Sequence, residues 1–514
     1  MLYMRLQTCF TTCALCCATV FGDVPTEHGY LDLIERLGGG NEPTGVGIEV
    51  GQVEANASSG GYAPDENDPL FAGKTFVLHS GSSVVSNHAT QVGMRYYGTG
   101  ISSIAQGIDL INVYSAEGWA TSGYLHVGLG SNPSLPPGDT VLFNNSWTGS
   151  FGSAATDSQA LRRADWSIDQ HDVMMLNGVA NSGAHSPLMS FGFNCVSVGK
   201  QNGEHVSGTV PSGYDLPGRQ LPLIVASQGS TSNATGVVSA IVALLVETRE
   251  THPNTSSNYF AGLSETIKAC LLTGGKHLAG WTNNTPTSGA NRGRTIQPID
   301  AVYGVGTANI DRAHRVLTGG QHASSESSNG ISIAPHAGWE TWTLGHNQSR
   351  FIKFDVGSLA DEVSIVLTWH QLATSGFGSY SLANLDLFLW KEVSGTLIDI
   401  TGDAGLGVFS AGNVVSESDL DNVEHLYIEG LASGKYVLEV KRIDSLGGSR
   451  VFSLGWLFPE QTTVPGDVNG DGVIDVNDVL ALIVAWGNCD GCPEDLDGNS
   501  TVNVSDLIQL ISYW

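Results

Sequence analysis

Residues 465–514 contain the same loop pattern twice, and this repeat constrains the local fold more closely than any other feature of the chain. Oxygen-bearing side chains recur at loop positions one, three, five, nine and twelve, and the seventh position offers a backbone carbonyl. This spacing suits a hard cation such as Ca²⁺, which takes about six to eight oxygen ligands. The predicted ligands are Asp467, Asn469, Asp471, Val473, Asp475 and Asp478 in the first copy, and Asp495, Asp497, Asn499, Thr501, Asn503 and Asp506 in the second.

A helix-like apolar run follows each loop, Val479–Trp486 in the first copy and Leu507–Trp514 in the second. Neither loop is preceded by the helix that opens a complete EF-hand, and the twelfth position is Asp rather than Glu. The pair resembles a type I dockerin, the module by which secreted bacterial proteins dock into a cohesin. The resemblance implies two Ca²⁺ sites in a small all-α half-EF-hand pair, and a cohesin-bearing scaffold protein as partner. The alternative interpretation is an acidic turn cluster, which would not require two copies in register.

The N-terminus predicts export from the cell. Arg5 precedes a short apolar stretch that ends in small residues, which is typical of a secretory signal peptide over residues 1–22, cleaved after Gly22. A lipoprotein signal ending at Cys16 or Cys17 is the alternative, but the residues before them make a poor lipobox. No later segment has the length and apolarity of a membrane span. We therefore expect a secreted protein, extracellular or associated with the cell surface.

Charge and cysteine content agree with that location. Lys and Arg number 22 against 50 Asp and Glu, a formal net charge of −28, which argues against a nucleic-acid partner. Cys489 and Cys492 lie between the two loops and could form a small disulfide in an oxidising compartment. A bridge between Cys195 and Cys270 is also possible, and the sequence leaves this pairing open.

Residues 24–318 alternate apolar runs with helix-like stretches. The apolar runs show no polar alternation, which favours parallel strands buried on both faces of a sheet: Gly45–Val53, Asp109–Tyr114, Thr140–Asn144, Val173–Leu176 and Cys195–Val198. The expected helices between and after them are Ser158–Gln170, Ala234–Glu250 and Ser264–Leu272. This order predicts a doubly wound α/β domain with a parallel sheet.

The pattern changes over residues 330–458, where apolar and polar residues alternate. This alternation, interrupted by Gly, Asn, Asp and Ser, is typical of a β-sandwich. The predicted strands are Ser349–Asp355, Val363–Trp369, Leu385–Trp390, Val423–Glu429 and Lys435–Lys441. A linker, residues 459–465, leads to the two calcium loops. The chain is therefore predicted to be a multidomain protein.

Four segments of the first domain indicate nucleophilic catalysis. Ser232 opens an apolar helix, where backbone N–H groups can receive an anion. His88, in a polar segment, can serve as its general base, and Glu54, at the end of an apolar strand, can orient the imidazole. Asn181, beyond another strand, can donate to an oxyanion. Each residue alone has an ordinary structural explanation, such as an N-cap or a solvated carboxylate; their order along the chain favours the catalytic one.

These segments resemble the motifs of the subtilisin-like serine peptidases, the subtilases, over roughly residues 28–318. The resemblance places Glu54 as the catalytic acid, His88 as the base, Asn181 in the oxyanion motif and Ser232 as the nucleophile. It also implies that the segment containing Ser146, Trp147 and Gly149 pairs with the substrate backbone. Trp147 is then either a wall of a side-chain pocket or a core aromatic. The domain ends with a motif over Tyr303–Asn309.

Several positions depart from the family pattern. The acid is Glu54 rather than Asp, and one extra methylene shifts a carboxylate by about 1 Å. Asp65 and Glu66 are alternative acids in a nearby loop. The usual glycines are Ser230 and Ala89, and the usual proline of the nucleophile helix is Gly236.

The resemblance implies a secreted serine endopeptidase that acts on protein or peptide substrates through an acyl-enzyme. The alternative is a catalytically inactive scaffold that binds or displays proteins outside the cell.

The sandwich resembles the jelly-roll modules that follow some secreted subtilases. Two of its segments, Asn384 to Asp386 and Asn422 to Glu424, could ligate calcium or could simply be strand ends.

Overall fold

A computed structural model describes residues 5–6, 23–184, 186–458, 466, 468, 474–489 and 492–514. Most of the predicted signal peptide and the whole linker 459–465 lie outside the described residues. So do four predicted calcium ligands of the first loop, Asp467, Asn469, Asp471 and Val473.

Seven parallel strands form one sheet, which confirms the predicted α/β organisation of the first domain. Their order is β7-β6-β5-β4-β1-β3-β2. The strands are β1 (Val50–Glu54), β2 (Thr75–Leu78), β3 (Leu110–Ser115), β4 (Leu142–Asn145), β5 (Met174–Gly178), β6 (Val196–Lys200) and β7 (Ile224–Ala226). The winding direction reverses at β1, so its carboxyl end borders a crevice of the kind where α/β proteins bind ligands.

Helices cover both faces of this sheet. They are α1 (Val24–Glu27), α2 (Tyr30–Leu37), α3 (Asn87–Tyr96), α4 (Ala154–His171), α5 (Thr231–Thr251), α6 (Ser264–Thr273) and α7 (Ile310–Thr318). Successive residues of β4 face opposite sides: Leu142 packs in the core that contains α5, and Phe143 in the core that contains α4. Burial on both faces explains why the strands lack polar alternation.

Helix α5 runs through the centre of the domain. Contrary to the expectation from the sequence, it is long and apolar enough to cross a membrane, but 89% of its most apolar window is buried inside the protein, as in the core helix of a globular domain. Ser230 caps its start by accepting a hydrogen bond from the Asn233 N–H at 3.2 Å. A Cβ on Gly236 would lie 3.0 Å from the Val92 carbonyl oxygen on α3. The glycine at this position therefore lets α3 and α5 approach closely.

Residues 337–457 form two antiparallel sheets that share one core. Their strands are β8 (Ala337–Leu344), β9 (Ser349–Val356), β10 (Ala360–Trp369), β11 (Leu385–Val393), β12 (Thr396–Ile398), β13 (Val415–Ser416), β14 (Val423–Leu431), β15 (Gly434–Arg442) and β16 (Arg450–Leu457). One sheet has the order β13-β11-β15-β9 with β12 on β11, and the other β8-β16-β10-β14. Arg294–Thr295, from the first part of the chain, pairs in parallel with β13.

The second of these sheets packs directly on helices of the α/β domain. Every residue of α6 is buried, because the parallel sheet's core lies on one side and β10, β16 and β8 on the other. Ser364 Oγ donates to the Thr273 carbonyl at 3.0 Å, and the Trp339 indole N–H donates to the Leu317 carbonyl at 3.0 Å. Trp339 belongs to the same apolar core as α5. The two parts of the chain therefore share a continuous interior.

The C-terminal residues form a helix pair, α8 (Val476–Val484) and α9 (Val504–Tyr513). A small core of Leu482, Val502 and Leu510, with Val468, holds it together. Cys489 and Cys492 form a disulfide with a Cα–Cα distance of 5.8 Å. Cys195 and Cys270 are free and buried, so they do not form the bridge that the sequence left open.

We expect Gly455→Ala in β16 to destabilise the protein by about 1–3 kcal/mol, the usual cost of overpacking a core. A Cβ at this position would lie 2.5 Å from Thr273 Oγ1 and 3.2 Å from the Ala269 carbonyl oxygen, both on α6. Urea unfolding of the two variants and the wild type would measure the effect. Gly357→Ala is the matched control because its Cβ would meet nothing within 4 Å, and an equal midpoint for both variants would contradict the tight contact.

Candidate active site

Glu54 and His88 meet at the carboxyl end of β1. Glu54 is the last residue of the strand and is fully buried, and its Oε2 lies 2.7 Å from His88 Nδ1. His88 is held by the first turn of α3, which Ser86 caps through the Ala89 N–H at 3.2 Å. The His88 side chain is 47% exposed, so the imidazole lies between the buried Glu54 carboxylate and the solvent.

Two residues that the sequence analysis did not identify hold the carboxylate of Glu54. Gln52, on the same face of β1, donates from Nε2 to Glu54 Oε1 at 2.9 Å and to the Ala89 carbonyl at 2.9 Å. The Tyr97 hydroxyl donates in turn to Gln52 Oε1. One sequence feature could have indicated this role of Gln52: it is a polar residue in β1, and a strand buried on both faces normally carries apolar residues. Both Glu54 oxygens are thereby engaged, and the carboxylate has a fixed orientation.

The charge of Glu54 controls the protonation of His88. The nearby carboxylate raises the pKa of the His88 imidazole above its usual value, and burial opposes this effect only in part. The alternative acids do not take this role: Asp65 accepts a hydrogen bond from the Asn67 N–H at 3.1 Å, and Glu66 is exposed.

Ser232 lies in the first turn of α5, beside the end of β4. Its Oγ donates to the Ser146 carbonyl at 3.3 Å, and Ser146 Oγ donates to the Ser232 carbonyl at 3.0 Å. Within the part of the chain that the structure describes, Ser232 and His88 do not share a hydrogen bond. Catalytic hydrogen bonds are often long or misaligned in unliganded sites and shorten when substrate binds.

Asn181, just beyond β5, is fixed against the start of the same helix. Its Oδ1 accepts a hydrogen bond from the Thr231 N–H at 2.9 Å, which orients the amide. Neither Asn181 Nδ2 nor the Ser232 N–H has an acceptor among the described residues. Two free donors beside the N-terminus of a long helix form a suitable place for a developing negative charge.

The predicted substrate segment follows β4. Trp147 is only 4% exposed and its indole N–H donates to Asn145 Oδ1 at 3.2 Å, so it packs as a core aromatic. The pocket-wall interpretation is therefore not supported by its position. Gly149 and Ser150 pair antiparallel with Arg5–Leu6, which shows that this edge can accept an added strand.

The second of the two predicted calcium loops brings carboxylates together. Asp495, Asp497 and Asp506 each place one oxygen within 4.8 Å of the others. Asp506 is fully buried and accepts hydrogen bonds from the Asp497 N–H at 3.1 Å and the Asn503 N–H at 2.8 Å. Of the first loop, the ligands within the described residues are Asp475 and Asp478, which form a capping box at the start of α8. Oxygen-only donors of this kind fit Ca²⁺.

The two sandwich segments differ in their contacts. Asn422 Nδ2 donates to the Phe193 carbonyl at 2.9 Å, and Glu424 accepts a hydrogen bond from the Ser418 N–H at 2.6 Å, so both have structural partners. Asn384 Oδ1 and Asp386 Oδ1 are buried without a partner among the described residues. The calcium interpretation therefore stays open only for the Asn384 to Asp386 segment.

Comparisons with known proteins do not identify the family. No protein-family model and no curated protein match the chain. The structure of the prenylagaramide maturation protease PagA is 17% identical, with 52% of this chain and 92% of that chain covered, at a TM-score of 0.33. MycP1 from Mycobacterium smegmatis is 14% identical, with 60% and 89% covered, at a TM-score of 0.31. A mitogen from Yersinia pseudotuberculosis is 14% identical, with 24% and 85% covered, at 0.15.

We expect Glu54→Gln to lower the pKa of His88. The carboxylate stabilises the imidazolium, and its removal leaves burial, which favours the neutral ring. Titration of the His88 ring followed by NMR would measure the change. Glu66→Gln removes the same charge from an exposed nearby position and should leave the pKa of His88 unchanged; equal shifts in both variants would contradict the assigned pair.

Proposed function

We propose that the protein is a serine endopeptidase of the subtilisin-like type, with Ser232 as nucleophile, His88 as general base and Glu54 as the acid that orients it. The observation that carries this proposal is the buried Glu54 carboxylate at 2.7 Å from His88 Nδ1, at the sheet edge where Ser232 and Asn181 also lie. A purely structural ion pair would not require a serine in the first turn of α5 and, beside it, the Asn181 Nδ2 and Ser232 N–H donors, which have no acceptor among the described residues.

In the proposed reaction, Glu54 holds the proton on His88 Nδ1, so that Nε2 can accept the proton of Ser232 Oγ. The hydroxyl leaves the Ser146 carbonyl and attacks the peptide carbonyl of the substrate. The Ser232 N–H and Asn181 Nδ2 stabilise the oxyanion that forms. His88 then gives its proton to the leaving amine, and water releases the acyl-enzyme in the second half of the reaction.

Gln52 supports the use of glutamate where this type of enzyme normally has aspartate. The longer side chain of Glu54 has one more rotatable bond and would lose more conformational freedom when held in place. The hydrogen bond from Gln52 Nε2 at 2.9 Å restrains the carboxylate, and Tyr97 restrains Gln52. These two hydrogen bonds offset the additional flexibility that the extra methylene gives to the Glu54 side chain.

The substrate is proposed to bind as an extended strand. The edge at Gly149–Ser150 accepts an antiparallel partner, Arg5–Leu6, and this supports substrate pairing by main-chain hydrogen bonds. Protein or peptide substrates fit such an edge.

We expect Ser232→Ala to reduce kcat/KM on a denatured protein substrate by about 10⁴-fold or more, because the nucleophile is lost. Labelling with a fluorophosphonate and intact mass analysis would show one modified serine in the wild type and none in the variant. Ser182→Ala, which removes an exposed hydroxyl beside Asn181, should retain activity and labelling.

If the wild type neither labels nor cleaves any denatured protein, the serine peptidase assignment fails. The inactive binding or display scaffold then becomes the better description, with the Ser232–Ser146 hydrogen bond as its resting arrangement.

We further propose that residues 465–514 are a calcium-dependent, dockerin-like tether to a cohesin-bearing scaffold outside the cell. The disulfide Cys489–Cys492 supports an oxidising compartment and therefore secretion. Both helices present apolar side chains to solvent, which supports a protein partner: Val476, Leu480, Ile483 and Val484 on α8, and Val504, Ile508 and Ile511 on α9. The carboxylates of Asp495, Asp497 and Asp506 would bind one Ca²⁺ and thereby stabilise the small core of this region.

We expect calorimetric titration to give two bound Ca²⁺ per chain in the wild type and one in Asp495→Asn, which loses a charged ligand. Chelation should reduce helix content through α8 and α9, as measured by circular dichroism. Asp361→Asn, at an exposed position of the sandwich, is the control. Unchanged stoichiometry in Asp495→Asn would contradict the assigned site.

A further inference from the structure

A cluster of possible metal ligands lies where the sandwich meets the α/β domain. Asp169 comes from α4, Glu265 from the first turn of α6, and His370 directly follows β10. One oxygen of each carboxylate and one nitrogen of the imidazole lie within 4.8 Å of one another. Glu265 and His370 are almost completely buried, and Asp169 is one-fifth exposed, which leaves a path from solvent.

The distances in this cluster fit both a long ion pair and the edges of a metal site. His370 Nδ1 lies 3.3 Å from Asp169 Oδ1 and 3.2 Å from Glu265 Oε1. A charge-assisted N–H···O hydrogen bond is normally about 2.7–2.9 Å long. Ligands about 2.1 Å from a tetrahedral ion are separated from one another by about 3.4 Å.

The other polar atom of each side chain is already engaged. Gln170 Nε2 donates to Asp169 Oδ2 at 2.6 Å, and Ser264 Oγ donates to Glu265 Oε2 at 3.4 Å. Ser264 Oγ also lies 3.4 Å from His370 Nε2. Since the hydroxyl hydrogen is directed to Glu265, the oxygen can accept from an Nε2–H, which leaves Nδ1 as the nitrogen that faces the two carboxylates. Hydrogen bonds to the atoms that do not bind metal are the usual means of fixing metal ligands.

Two carboxylates that face Nδ1 favour a positive charge at this point, and either a proton on Nδ1 or a bound metal ion supplies it. Among the described residues, Lys268 does not pair directly with these carboxylates: its Nζ donates to the Phe193 carbonyl at 2.9 Å and to the Asn194 carbonyl at 3.5 Å. Imidazole together with carboxylate favours a transition-metal ion over Ca²⁺ or Mg²⁺, which prefer oxygen ligands alone.

We propose that Asp169, Glu265 and His370 bind one divalent transition-metal ion of the Zn²⁺ class, with solvent as a further ligand on the Asp169 side. Because two ligands belong to helices of the α/β domain and one to the sandwich, the ion joins the two parts of the chain. This site is separate from the calcium loops and from the Ser232 region, and it stands whether or not the peptidase proposal holds.

Cobalt(II) binding to the full chain tests this site, with Ca²⁺ in excess to occupy the calcium loops. We expect one Co²⁺ per chain with the visible absorption of a four-coordinate ion, displaced by one equivalent of Zn²⁺. Glu265→Gln and His370→Gln each replace one ligand with a polar side chain of similar size. Neither variant should show the visible absorption of bound Co²⁺. His322→Gln, at a histidine that is not part of the cluster, should keep it.

Thermal unfolding supplies a second measurement. Zn²⁺ should raise the unfolding temperature of the wild type and of His322→Gln, and should not raise that of Glu265→Gln or His370→Gln if these fold as shown by circular dichroism. No cobalt absorption in the wild type, or equal absorption in all four proteins, would overturn the proposal. In that case the cluster is an ion pair between an imidazolium and two carboxylates.

Discussion

The contact between α6 and the second sheet of the sandwich joins the sandwich to the α/β domain. The helix is buried along its entire length, so it has no surface of its own and depends on both neighbours to exclude water. Burial of apolar surface contributes roughly 25 cal/mol per Å², and the largest apolar side chain at this junction, Trp339, is fully buried. The α/β domain and the face of this sheet that packs on it therefore share one apolar core, and the proposed metal cluster lies at the same junction.

The central strands of the α/β domain could be predicted from sequence, because strands buried on both faces are uninterrupted apolar runs. The edge strands β2 and β7 could not be predicted in this way, because neither is a long uninterrupted apolar run. In β2, exposed and half-buried residues alternate, and β7 has only three residues. Helix α3 was also missed, since its polar and glycine-containing sequence resembles a loop; its burial depends on α5, which lies far along the chain. In the sandwich, β8 and β16 gave no clear alternation because both their faces are largely covered.

For the candidate site, the order and resemblance of the motifs predict Glu54, His88, Asn181 and Ser232; the structure pairs Glu54 with His88 and places Asn181 against the start of the helix that carries Ser232. The sequence could not reveal Gln52 as the residue that holds Glu54, because that role depends on two side chains of one strand facing the same way and on the position of α3. Nor could it decide between the two interpretations of Trp147, whose burial depends on residues contributed by several distant segments.

The pairing of Arg294–Thr295 with β13 has a consequence for the order in which the protein can be completed. The segment leaves the α/β domain, adds a strand to the edge of a sheet, and the chain then returns to form α7. During synthesis this strand precedes its partner by more than a hundred residues, which take about 6 to 24 seconds to be made at ordinary rates of translation. The strand at Arg294–Thr295 therefore has no partner during synthesis until β13 has been made.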